Sequence, residues 1–397
     1  MTITIITIIC SLLLLAYAFD ISSPFTKIPS VILLLLLGWA VRQTSILFHI
    51  NLPNLNPLLP AFGTIGLILI VLEGALELEF NKSKLPVITR SFLNAIVPTL
   101  LLAFLMAFAF QYFGQVPYKK ALANAIPFCV ISSAIAIPSV RNLTPHNKEF
   151  IIYESSFSDI FGVLFFNFIT LNQSINAQSF GNFALEFIII IIISFTAVLG
   201  LSFLLSRIKH HITFAPIILI VILIYAVSKI YHLPGLVFIL VFGLFLGNLD
   251  ELKHFDWIEK LRPEKLDKEI KKFKEINGEA TFLIRALFFM LFGFLMEPRE
   301  IFNISTLPWS ISIVFLIMLV RWSALKLSKL PVSPLLFVAP RGLITILLFL
   351  SLTQEQAISL VNKSLIIQTV ILSVIVMMFG LMLNKEVKLE MTNENPE

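Results

Sequence analysis

Apolar runs of roughly twenty residues, parted by short polar breaks, recur from one end of the chain to the other. A helix needs about 20 residues to cross a bilayer. The pattern therefore predicts thirteen spans, at about 2–19, 28–47, 57–79, 86–113, 119–140, 148–171, 182–205, 213–230, 234–249, 279–297, 305–327, 331–352 and 362–384. One connection is long. Residues 250–278, DELKHFDWIEKLRPEKLDKEIKKFKEING, are charged and partly amphipathic, and are expected to lie along the membrane surface. The opening MTITIITIIC has no basic stretch before it and no small-residue cleavage site after it, so it reads as a retained first helix and not as a signal peptide.

Composition agrees with the pattern. The 397 residues are 58% hydrophobic and 13% charged, where a soluble domain has about a quarter of its residues charged. The fold class implied is all-α, a polytopic membrane protein. The net charge of +5 does not indicate nucleic acid, because the basic residues are scattered between apolar segments. Topology explains them. With the N-terminus outside, twenty Lys and Arg fall on cytoplasmic ends and loops, eight of them in 250–278, against five outside. An odd number of spans preserves that asymmetry and puts the tail, 385–397, in the cytoplasm. Cys10 and Cys129 each sit in an apolar run and suggest neither a disulfide nor a metal site. No HExxH, GxSxG or GxxxxGK[ST] stretch occurs, so no enzyme, nucleotide site or cofactor is indicated.

The chain also echoes itself. VILLLLLGWAVRQ in the second span is matched by LVFILVFGLFLGN in the ninth, LILIVLEGALELEF in the third by LFFMLFGFLMEP in the tenth, and SAIAIPSVRN in the fifth by FVAPRGLIT in the twelfth. The offset of seven spans is odd, so the second copy is inverted in the membrane. Inverted repeats with interrupted helices at matching positions point to a secondary transporter whose site lies at the interruptions. Pro138, and Pro340 with Gly342, mark those positions. Carbonyls freed there are tolerated at membrane depth only where protein or a water-filled cavity satisfies them. The two interruptions are expected to cross.

The candidate chemistry gathers in YESSFSDIFG, residues 153–162. Asp159 lies about 16 Å into the sixth span, close to the bilayer midplane, where an ionised carboxylate is expensive and usually functional. Ser155 is one turn earlier and Ser158 is adjacent. Ser132 and Ser133 lie in the fifth span. These hydroxyls offer oxygen to Na+ or K+, or to a protonated carboxyl; they equally bond a helix's own carbonyls. Glu154 is about 140° around the helix from Asp159 and requires a cation from another span. Arg341 is the best candidate, and a brace and an ion-binding role for that pair both stay open. Arg90, Arg285 and Arg321 are expected near cytoplasmic helix ends, where snorkelling suffices. Glu73, Glu77 and Glu79 approach the inner end of the third span, and the His210–His211 pair falls in a loop.

With these residues in hand, the chain resembles the monovalent cation/proton antiporter superfamily, nearest its sodium/proton exchanger branch. YESSFSDIFG looks like that branch's E-S-x-x-N-D stretch, APRGLIT like its P-R-G stretch, LEGALELEF like its E-G-x-x-L-x-L pattern, and GLFLGN like its ninth-helix ending. The likeness covers almost the whole chain in the same order. It implies a dimeric elevator. A core of about 86–171 and 279–384, less the tenth span, would move against a scaffold of about 1–80 and 213–297. Asp159 would hold a cation or a proton, never both, and Glu154 with Arg341 would brace the core. Ser158 stands where the family has Asn or Asp, which is compatible with electroneutral exchange. Ala136-Ile137-Pro138 stands where the family often has T-D-P, so a ligand carboxylate and a ligand hydroxyl are absent.

The function implied is proton-coupled monovalent cation antiport by alternating access in the cell membrane, with Na+ ahead of K+. Its partners are those ions, H+, the bilayer and a second copy of the chain. Two readings compete: a proton-coupled carrier of another solute, and a non-transporting membrane sensor that kept the fold.

Overall fold

A computed structural model describes residues 2–26, 28–49, 54–78, 82–172, 176–207, 214–231, 233, 235–248 and 263–383. The tail 385–397, the His210–His211 pair, Glu79 and residues 250–262 lie outside the described residues. Among the described residues there is no β-strand. The helices are α1 (Thr2–Thr26), α2 (Ser30–Leu47), α3 (Leu58–Glu77), α4 (Leu85–Gly114), α5 (Tyr118–Ala125), α6 (Ser133–Ser139), α7 (Pro145–Leu171), α8 (Ala177–Arg207), α9 (Phe214–Ile230), α10 (Gly235–Gly247), α11 (Pro263–Leu295), α12 (Pro298–Ile301), α13 (Leu307–Leu327), α14 (Leu343–Leu350) and α15 (Lys363–Leu383). Each of the thirteen expected spans has a counterpart among them.

The largest departure from expectation is α11. It begins at Pro263, so residues 263–278 are helix instead of a connecting segment. Proline suits a first helical position, where its missing N–H has no partner to lose. Glu, Lys and Leu dominate the next turns, and Glu269 and Lys272 pair at 3.3 Å along one face. Ile270 and Phe273 on another face are buried, the Phe273 ring lying 6.0 Å from that of Phe214.

The described residues within 1–64, 90–166 and 283–383 form one compact unit, and those within 65–89 and 167–282 form another. In the first, α1 packs on α2, and α13 and α12 pack on α15. A side chain at Gly38 would run into the Met290 backbone, and one at Gly293 into that of Leu35. Glycine thus lets α2 and α11 approach with backbones nearly in contact, as membrane helices do in the absence of a hydrophobic drive between them. In the second unit α10 packs against α8 and α9. Exposed apolar stripes run at helical spacing along α4 (Leu93, Val97, Leu101, Phe104, Phe108) and α8 (Leu185, Ile188, Ile192, Phe195), a surface suited to hydrocarbon.

Among the described residues two spans are interrupted, both in the first unit. After α5 a single 3-10 turn, Ile126–Phe128, closes, and residues 129–132 leave the helix before α6 starts. Pro138 is not at this interruption; it lies inside α6. In the twelfth span only Leu343–Leu350 is helical, and 340–342 are not.

Candidate functional site

The two interruptions touch. The N–H of Ser132 donates to Pro340 O at 2.9 Å. Gly342 is required by this approach, since a Cβ there would lie 2.5 Å from Ile135 Cδ1 and 2.8 Å from Ser132 Oγ. The crossing of Pro138 with Pro340 expected from the sequence is therefore replaced by a crossing of 129–133 with 340–342. Pro138 does not mark the first break because the break is set by partners for its exposed N–H groups. Ile131 N donates to Ser158 Oγ at 3.0 Å, and Ser133 N donates to Asp159 Oδ2 at 3.3 Å. With Ser132 N on Pro340 O, three successive donors freed by the break are each satisfied by another element.

Asp159, on α7, is 1% exposed. Its Oδ2 also accepts a hydrogen bond from Ser133 Oγ. Oδ1 has no hydrogen-bond partner among the described residues, and neither do Ser132 Oγ, Thr345 Oγ1 or Thr369 Oγ1, all buried. Buried polar atoms are rarely left so, and each one needs an explanation. Ser158 is used as an acceptor for the break. Ser155 donates to Ile151 O at 2.7 Å, so its proton serves its own helix. Thr345 and Thr369 carried no signal in the sequence, because single hydroxyls in apolar spans are common.

The ion pair differs from the expected one. Glu154 binds Arg321, not Arg341: Nη1 to Oε1 and Nη2 to Oε2 are each 2.8 Å. Glu154 is 1% exposed and the Arg321 side chain 6%, so the pair is buried and two-pronged. Arg321 Nε also donates to Leu335 O at 2.8 Å, which ties α7, α13 and the twelfth span together. Snorkelling was the wrong expectation for Arg321, a charge deep in LIMLVRWSAL. Arg341 instead serves the interruptions. Its Nε donates to Phe128 O at 2.6 Å, its Nη1 to Ala339 O at 3.2 Å, and its N–H to Ser373 Oγ at 2.9 Å. A cation thus sits where the α5 segment presents its terminal carbonyls. The break ends at Ser132, α6 opens with Ser133-Ala134, and Ala136-Ile137-Pro138 lies inside α6.

Among the described residues no three His, Cys, Asp or Glu side chains gather as a metal site. One carboxylate among hydroxyl oxygens is a donor set for a hard cation and not for a thiolate- or imidazole-seeking metal.

Crossed, interrupted helices with a buried carboxylate at the crossing define a polytopic membrane protein of secondary-transporter type. The profile of the family described as "Sodium/hydrogen exchanger, transmembrane" matches residues 9–385, and the chain belongs to that family. The fold is similar to that of the sodium proton antiporter MjNhaP1 from Methanocaldococcus jannaschii. Against its structure at pH 8 the TM-score is 0.72 at 20% identity, covering 97% of this chain and 99% of that one. Against its electron-microscopy structure the TM-score is 0.73 at 17% identity, with both chains fully covered. Comparison with curated proteins by sequence gave no match.

Proposed function

We propose that the chain exchanges a monovalent cation for a proton across the cell membrane, Na+ ahead of K+, with Asp159 holding one or the other in turn. The observation that carries this reading is the division of labour on Asp159. One oxygen is fixed by Ser133 at the start of α6, while Oδ1 is buried with no partner among the described residues, beside a break that also leaves Ser132 Oγ without one there. A cation and a proton compete for a carboxylate oxygen because either neutralises its single charge. Ser132 and Ser133 supply oxygen to the cation, in keeping with ligands for hard ions. A core of about 86–171 and 279–384, less the tenth span, carries the site past a scaffold of about 1–80 and 213–297, in a homodimer with the N-terminus outside and the C-terminus cytoplasmic.

The buried charges support one-for-one exchange. Glu154 and Arg321 cancel, and Arg341 offsets an ionised Asp159. The core then carries the same net charge with a cation bound as with a proton bound. The competing reading, a carrier of another solute, would need a free basic group if that solute were an organic anion, whereas the Arg341 guanidinium is engaged by Phe128 O and Ala339 O.

The test is collapse of an imposed pH gradient in proteoliposomes on adding Na+, K+ or Li+ in turn. Na+ should collapse it most effectively, and Asp159→Asn should abolish the response while leaving the thermal midpoint of the protein intact. Undiminished exchange in that variant would refute the assignment.

A further inference from the structure

A second charged cluster lies apart from the ion site, at the far end of α6. Asp20, near the end of α1, is 16% exposed. Its Oδ1 accepts from Arg285 Nη2 of α11 at 3.3 Å and from Ser30 Oγ, at the start of α2, at 3.2 Å. Its Oδ2 faces Arg141 Nη1 at 3.6 Å. The two arginines differ in kind. The Arg285 side chain is 8% exposed and the Arg141 side chain 49%. A buried pair is strongly destabilised by loss of one partner, while an exposed, long pair is worth only about 0.2–1 kcal/mol. One carboxylate therefore has a permanent side, which joins α1, α2 and α11, and a breakable side.

The breakable side leads to the ion site. Arg141 directly follows Val140, the residue that closes α6, and Ser133 at the other end of α6 holds Asp159. Seven helical residues, about 10 Å, separate the two contacts. A displacement of the half-helix that carries the site must move Arg141 relative to Asp20. Arg141 also lies past a helix C-terminus, where a positive charge is favoured without any partner, so opening leaves no stranded group.

We infer that Asp20 and Arg141 form a latch that holds α6 against α1, α2 and α11 in this conformation and opens when the ion site moves. Arg141 is thus a positioning residue, acting through α6. The inference rests on the proposed division into a moving core, which includes α6, and a fixed scaffold, which includes α1 and α2. It contrasts with the Glu154–Arg321 clamp, whose 2.8 Å contacts join elements assigned to the same moving part.

The test reads conformation, not transport. In a Cys10→Ser, Cys129→Ser background, Ser139→Cys at the end of α6 is labelled by a membrane-impermeant maleimide, applied separately to inside-out and right-side-out vesicles without Na+ or a pH gradient. Arg141→Gln should raise the labelling rate about two- to five-fold on one face only, the shift that loss of a weak exposed pair gives. Arg141→Lys, which keeps the charge, should restore the wild-type rate. Equal labelling of Arg141→Gln and wild type would overturn the latch, and so would equal acceleration by Arg141→Lys. Because no cation is present, these outcomes stand whether or not Na+ collapses a pH gradient in the wild type.

Discussion

Ser133 holds Asp159 through two donors at once, its hydroxyl and its backbone N–H, and both reach the same carboxylate oxygen. A backbone donor cannot be moved without moving α6, so the carboxylate is located relative to the half-helix and not merely near it. The hydroxyl differs: it is a donor to a bare carboxylate and its lone pairs are available to a bound ion.

Ser133→Ala removes only the hydroxyl. The N–H contact stays, so the helix start should persist and the thermal midpoint should change little. Cation binding should weaken by about tenfold, the scale of one hydrogen bond to a charged group. The measurement is the Na+ concentration giving half-maximal collapse of a pH gradient. An unchanged value would remove Ser133 from the proposed ligand set.

The charge count gives a second expectation. If Asp159 is the one exchangeable charge, a membrane potential imposed with valinomycin should leave the rate of Na+-driven proton movement unchanged. Ser133→Asp places a second carboxylate in the break beside Asp159. Two such groups cannot both stay ionised and unpaired in a buried site, so the variant should bind an additional cation or proton and become sensitive to potential. A voltage-sensitive wild type would contradict one-for-one exchange.

Glu154 and Arg321 are expected to be structural. Glu154→Gln leaves a buried guanidinium without its anion, which costs about 3–5 kcal/mol. The variant should show a sharply lower melting temperature in detergent, and cation concentration should not rescue it. Arg141→Gln, on the half-exposed partner of Asp20, should leave the melting temperature within a degree or two, since such pairs contribute about 0.2–1 kcal/mol.

The parts of the fold legible in the sequence are those fixed by the bilayer. Span length follows from hydrocarbon thickness, so all thirteen spans have counterparts, and a lone carboxylate at mid-span identifies Asp159 without any knowledge of its neighbours. Pairing was not legible. Glu154 needed a cation from another span, and both Arg321 and Arg341 lie in apolar runs; only the fold, which brings Arg321 of α13 to Glu154 of α7, decides between them. Proline does not cause the first interruption, so its position does not follow from Pro138. The break is instead determined by acceptors for Ile131, Ser132 and Ser133, contributed by Ser158, Pro340 and Asp159, and these are remote in sequence. The start of α11 was missed for a different reason: charged residues rich in helix formers look the same whether they lie in a loop on the membrane or extend a span.

Gly342→Ala tests the crossing itself. The backbone at 342 has φ −169°, which is not the left-handed region that favours glycine. Space at the crossing is the point tested. The new methyl would meet Ile135 Cδ1 at 2.5 Å and Ser132 Oγ at 2.8 Å, both on the partner segment. The segments must then part by several tenths of an ångström, and the bond from Ser132 N to Pro340 O, 2.9 Å here, must lengthen. Overpacking of this kind costs about 1–3 kcal/mol. A fall of a few degrees in melting temperature should accompany a larger loss of exchange, because Ser132 and Ser133 shift with the break while Asp159 stays on α7. Loss of stability with exchange retained would mean that the crossing supports the fold without setting the ion site.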